Sequence, residues 1–275
     1  MQWRNLYRGF FIGICDLIPV VSGGTIAFIL GIYDELLASI SGFFSREWKK
    51  HIGFLVPLAI GIVTALLLFS RVIEYLLKNY HAQTQFFFLG LVIGVLPFIA
   101  RQANVKKNFK IGHFLVILIV GATLASLAFV SPLGNTTITT LTATNTIGLF
   151  FAGWAGSMAM LLPGISGSFV LLLLGVYSTA IGALSNFNIP VIAVIGAGVI
   201  VGFIVSSKII SYLLTHFTYI TFAVIIGLII GSVFVMYPGF PKDGSFLVMS
   251  ILTFFIGLLV ASLFSSPGKA TIVND

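Results

Sequence analysis

The chain has 275 residues, of which 59% are hydrophobic and only 8% charged, with a mean hydropathy of +1.15. Soluble domains carry roughly 25% charged residues, so this composition excludes a substantial soluble domain and points to an integral membrane protein that crosses the bilayer several times. The net charge of +7 suits basic loops held against an anionic leaflet rather than nucleic acid, and the single cysteine, Cys15, excludes an internal disulfide and reads as a small packing residue.

In chain order, Arg4 and Arg8 precede the apolar stretch Gly9–Ile18. No small-residue cleavage site follows, so no cleavable signal peptide is expected. The stretch is about 10 residues, half a bilayer at ~1.5 Å per residue. It runs into Pro19-Val20-Val21-Ser22-Gly23-Gly24-Thr25. Proline removes a donor and clashes with the preceding turn, and the glycines disfavour helix while permitting close backbone approach. Thr25–Ile40 is again short for a span. The unit reads as a re-entrant hairpin, with two half-helices and a polar tip near the midplane. The alternative is a kinked full-length helix. Apolar runs follow at Ile52–Phe69, Phe86–Ala100, Phe114–Val130, Val191–Ser206, Phe222–Val235 and Phe246–Leu263.

The chain is self-similar. Shifted by 144 positions, Gly9, Pro19, Ser22, Gly23, Gly31 and Tyr33 fall on Gly153, Pro163, Ser166, Gly167, Gly175 and Tyr177. At an offset of 137, Ser70-Arg71 and Tyr75 meet Ser207-Lys208 and Tyr212, and Gly90 and Gly94 meet Gly227 and Gly231. The difference falls in the loop Phe43–Ile52, which is shorter in the second copy. One repeat runs from about residue 8 to 101, the second from about 152 to 238, joined by a linking helix over 112–130 and followed by a C-terminal helix over 246–264. The whole, 1–275, is one transmembrane domain.

Charge tests the topology. With two hairpins and an inner N-terminus, eleven of the fourteen basic residues lie inside, and only Arg71, Lys78 and Lys242 lie outside. If each broken segment crossed once, the inner side would hold the minority. The positive-inside rule therefore favours hairpins, with both termini cytoplasmic. The linking span starts the second repeat on the outer side, so the copies are inverted. The expected fold is all-α and polytopic: two inverted-topology repeats, each with a re-entrant broken-helix hairpin plus two transmembrane helices. Secondary transporters share this architecture and bind substrate where the broken helices meet.

Each tip starts a half-helix, Ser22-Gly23-Gly24-Thr25 in one repeat and Ser166-Gly167-Ser168 in the other. Backbone N–H groups and hydroxyls at a helix N-terminus suit an anion such as phosphate. The plainer reading makes Ser22 and Ser166 N-caps only. Arg71 and Lys208 occupy equivalent positions near helix ends, either to reach an anionic head group or to snorkel to the interface. Asp16 lies three residues before Pro19, a costly depth for a carboxylate. Glu74 is spaced to pair with Arg71 on one helix face. Asp16 or Glu74 is a candidate for a coupling proton, with a structural ion pair as the alternative. Asp34, Glu35 and the four histidines lie in or near loops and receive no chemistry. No catalytic residue, metal ligand or cofactor is expected.

The two motifs, Ile18-Pro19-Val20-Val21-Ser22-Gly23-Gly24-Thr25 with Gly31-Ile32-Tyr33, and Pro163-Gly164-Ile165-Ser166-Gly167-Ser168 with Gly175-Val176-Tyr177, resemble the paired signatures of the bacterial polyprenyl-phosphate transporters, formerly a family of unknown function. Val20 departs from the glycine common there, while Gly164 keeps it. The resemblance covers nearly the whole chain. It implies return of undecaprenyl phosphate from the outer to the cytoplasmic leaflet of a bacterial plasma membrane for cell-wall polymer synthesis. The expected partners are a polyprenyl phosphate and membrane lipids. A rival is transport of another anion or lipid phosphate. A second rival is an enzyme, because the second tip is also similar to the active-site segment of undecaprenyl-pyrophosphate phosphatases. That segment has an arginine where this chain has Gly167, and the expected acidic pair is missing, so hydrolysis lacks its charge stabiliser and metal ligands.

Overall fold

The computed structural model describes residues 2–16, 23–43, 45–129, 138, 141–185, 188–241 and 243–264. Among them every regular element is helical. The first half holds α1 (Arg4–Asp16), α2 (Gly23–Ile29), α3 (Tyr33–Ser41), α4 (Trp48–Asn79) and α5 (His81–Gln102). A short α6 (Val105–Asn108) leads to α7 (Ile111–Ser126), which ends in a single 3₁₀ turn at Leu127–Phe129. The second half repeats the order with α8 (Ala143–Leu161), α9 (Gly167–Leu173), α10 (Tyr177–Ser185), α11 (Ile189–His216) and α12 (Thr218–Met236), and α13 (Gly244–Phe264) closes the described chain.

Among the described residues five helices are long and apolar enough to cross a membrane: Trp48–Phe69 of α4, α5, α11, α12 and Gly244–Leu263 of α13. Five of the six apolar runs of the sequence fall wholly in α4, α5, α11, α12 and α13. The linking run expected over Phe114–Val130 instead has its α-helix at Ile111–Ser126, shorter than the five spans. At 32 residues α4 is about 48 Å long, well beyond the ~30 Å hydrocarbon core.

The half-helix expected over Thr25–Ile40 is two helices. Gly31 adopts φ +64°, with its N–H donating to the Phe28 carbonyl and the Ile32 N–H to the Ala27 carbonyl. These paired bonds are a Schellman corner, where a left-handed residue ends a helix and glycine costs least. Gly175, at φ +70°, makes the same corner, its N–H on the Leu172 carbonyl and that of Val176 on Leu171. The Gly-x-Tyr match between the repeats is thus a pair of identical corners.

The long helices pack as four close pairs: α1 on α4, α8 on α11, α5 on α13 and α12 on α7. The last two are exchanged. The helix after the first half packs on α12 of the second, and the helix after the second packs on α5 of the first. Glycines set the approach. A side chain at Gly9 or Gly61 would collide with the Leu58 or Leu6 carbonyl across α1–α4, and one at Gly153 or Gly198 with the Ile195 or Phe150 carbonyl across α8–α11. Gly90 and Gly257 do the same to Phe254 and Phe87 across α5–α13. Small residues at contacts are how apolar helices associate in lipid, where burial from water supplies no force. The core lies between α5 and α12, each more than half buried (56% and 61%), with Phe28 of α2 against Phe222. The outer helices turn large side chains outward, as at Ile111, 81% exposed. That is costly in water and neutral in lipid.

Gly257→Leu is expected to separate α5 from α13 and destabilise the protein by about 1–3 kcal/mol or more. Thermal unfolding in detergent should show a clear fall in Tm, whereas Ile251→Leu, on an outward-facing position of the same helix, should leave it unchanged.

Candidate functional site

The start of α2 in the first half meets the break after α8 in the second. In the second half α8 stops because Pro163 forces Leu162 into extended backbone, at φ −81° and ψ 125°. The chain then turns through Gly164, at φ +89°, which presses on α12 so closely that a Cβ would lie 2.8 Å from the Leu228 carbonyl. Ser166 follows at the N-cap position of α9. In the first half α2 begins at Gly23.

Two hydrogen bonds tie these segments together. The Gly164 N–H donates to Thr25 Oγ1 at 3.0 Å, and the Tyr33 hydroxyl donates to the Leu161 carbonyl at 2.8 Å. Thr25 is only 1% exposed. Tyr33 is equally enclosed, its ring stacked on Phe28 with centroids 3.9 Å apart. Gly24 faces the end of α8, and a Cβ there would sit 2.7 Å from the Leu161 carbonyl oxygen. A buried backbone group without a partner costs several kcal/mol in hydrocarbon. Thr25 and Tyr33 therefore supply to the broken α8 what a continuous helix would have supplied to itself.

The expected tip residues divide. Gly23, Gly24 and Thr25 lie at the start of α2, with Gly24 and Thr25 against the second break. Ser166, Gly167 and Ser168 open α9. Ser166 occupies the N-cap position, yet its hydroxyl bonds Ser168 Oγ at 2.8 Å and caps no N–H of the helix. The two hydroxyls form a small polar pair beside the break. Ser22 lies outside the described residues, as do the side chains of Asp16, Arg71 and Glu74. Lys208 is exposed on α11, next to the buried Ser206 and Ser207. Asp34 and Glu35 lie in the first turn of α3, next to the corner at Gly31, and Glu35 accepts a hydrogen bond from Gln2. Among the described residues no group of three or more His, Cys, Asp or Glu is placed to hold a metal.

A cavity of about 220 Å³ opens beside the break, bounded by Gly23 and Gly24, by Leu55 and Ile62 of α4, by Met160 of α8 and by Phe203 of α11. Its lining is almost wholly apolar, so it receives hydrocarbon more readily than charge. Sequence reasoning gave Tyr33 no role. Its recurrence as Tyr177 was the available signal, but its bond reaches a carbonyl 128 residues away.

The chain is 43% identical to a polyprenyl-phosphate transporter of Staphylococcus aureus, over 100% of this chain and 99% of the relative. It is 34% identical to a polyprenyl-phosphate transporter of Vibrio cholerae, over 86% of this chain and 79% of that protein. No solved structure matches significantly. The model of the family described as VCA0040-like, undecaprenyl phosphate translocase-like, matches residues 12–244. The chain belongs to that family.

Proposed function

We propose that this protein is a lipid-carrier transporter that moves undecaprenyl phosphate from the outer to the cytoplasmic leaflet of a bacterial plasma membrane, with the phosphate bound where the two breaks meet. The observation that carries the reading is the junction itself: the break after α8 is joined to α2 and α3 of the first half by the Gly164–Thr25 and Tyr33–Leu161 hydrogen bonds, with the Ser166–Ser168 hydroxyl pair alongside. Both relatives are named for polyprenyl-phosphate transport, and the chain is a transporter rather than an enzyme. The apolar cavity beside Gly23 and Gly24 favours an amphiphile over a small soluble anion.

Moving a phosphate through hydrocarbon is opposed by the cost of burying its charge. Helix starts and hydroxyls near the bilayer centre lower that barrier, and Arg71 and Lys208 are the candidates for matching charge. Irregular backbone at such depth is tolerated where it is packed in protein or lines a cavity. An inverted repeat is supported by the recurring helix order, the twin corners at Gly31 and Gly175, and the exchange of α7 and α13. In this account each break is a re-entrant tip, and rocking one repeat against the other exposes the junction alternately to either side. Asp16 or Glu74 supplies the coupling proton.

The test is undecaprenyl phosphate exposed at the surface of cells with and without the gene. Exposure should rise on depletion and fall on overexpression, and no change in either direction contradicts the proposal. Ser166→Ala and Arg71→Ala should each lower activity by roughly tenfold, the scale of one lost interaction with a charged group, while the protein remains in the membrane. Purified protein given undecaprenyl pyrophosphate should release no inorganic phosphate. Thr25→Val leaves the Gly164 N–H buried and unpaired, at a cost of about 1–3 kcal/mol. It should lower both Tm and transport, and Thr25→Ser should restore most of each.

A further inference from the structure

Two apolar cavities adjoin along α1, between α4, α5 and α13, and are taken together as one groove. They measure about 200 and 520 Å³ and share Ile14, Phe87 and Phe88 as common wall. The inner end lies against Ile26 and Ile29 of α2, on the same short helix that carries Thr25 and Gly24. The outer end reaches Tyr80 and Gln83 at the turn between α4 and α5. Val72, Met249 and Ile256 line this outer part and are also exposed on the outside of the bundle, so the groove opens sideways towards lipid.

One wall residue is out of keeping. Gln83 is a polar side chain only 6% exposed, and its backbone carbonyl accepts a hydrogen bond from Thr253. In the second half the positions equivalent to Tyr80 and Gln83, at the offset of 137, hold Phe217 and Ile220. The polar end of the groove therefore belongs to the first half alone.

We infer that this groove, between α1, α4, α5 and α13, holds the isoprenoid tail of the transported lipid. The inference rests on the proposed function and names the tail site of the same substrate. The groove leads from surrounding lipid to the helix that forms one side of the junction, the path a tail must take if its phosphate sits there. Its aromatic and branched walls match a branched chain. The π electrons of isoprene double bonds offer the Gln83 N–H a weak acceptor that a saturated acyl chain lacks.

The test uses the full chain in phosphatidylcholine nanodiscs with a polyprenyl phosphate bearing photoactivatable groups along its tail. Label is expected on Phe87, Phe88 and Ile256. It should fall by at least about tenfold with excess unlabelled polyprenyl phosphate and stay unchanged with excess phosphatidylglycerol. Ile256→Trp, which narrows the groove, should lose the label, and Ile251→Trp, outside it, should keep it. Label confined to Leu55 and Phe203, or to α7 and α12, would overturn the tail site and leave the transport proposal standing. Equal displacement by phosphatidylglycerol would also overturn it, marking the groove as a general acyl-chain site. Absence of any displaceable label would contradict both.

Discussion

A helix broken inside a protein interior leaves N–H and C=O groups where no water can reach them, and the protein must find each a partner. Here the break after α8 is satisfied from the other half of the chain. The Leu161 carbonyl takes the Tyr33 hydroxyl, and the Gly164 amide gives its proton to Thr25. The bonds join residues more than a hundred positions apart, so neither half completes its interior alone. Much else follows from this. Thr25 and Tyr33 are buried because they serve that purpose, Gly24 is glycine because the end of α8 lies against it, and the corner at Gly31 directs Tyr33 back to that end.

The surrounding helices meet the complementary need. They are apolar nearly all round, so they cannot associate by hiding from lipid and must gain contact by fitting closely. The glycine-to-carbonyl approaches across α1–α4, α8–α11 and α5–α13 provide that fit. Exchange of α7 and α13 between the halves clamps one half to the other without a long connection. Closely fitted pairs around a junction held by few hydrogen bonds suit the proposed rocking of one half against the other.

Much of this was legible in the sequence, where the chemistry was local. Five of the six apolar runs lie wholly in long helices, and Pro163 with its glycines located the second break. The repeat matched Gly31 with Gly175, yet the stretch from Thr25 to Ile40 read as one half-helix. A single glycine inside an apolar run does not reveal that its φ is positive; only the paired Schellman bonds do. The N-cap position of Ser166 was also legible, but the turn of its hydroxyl towards Ser168 depends on side-chain geometry. Least legible was the groove along α1. Its walls come from helices as distant in sequence as α1 and α13, and Gln83 in an apolar helix carries no periodic signal.

The central proposal is that this chain alone carries a phosphate-headed polyprenyl lipid across the bilayer through the junction between its two halves. Liposomes containing only the purified protein and a fluorescent polyprenyl phosphate test it directly, with leaflet exchange read as the fraction of lipid accessible from outside over time. The account predicts exchange well above that of protein-free liposomes, dependent on the phosphate, and reduced when Thr25 is valine in protein that remains folded. Exchange no faster than in protein-free liposomes, or equally fast for the prenyl alcohol, would contradict it.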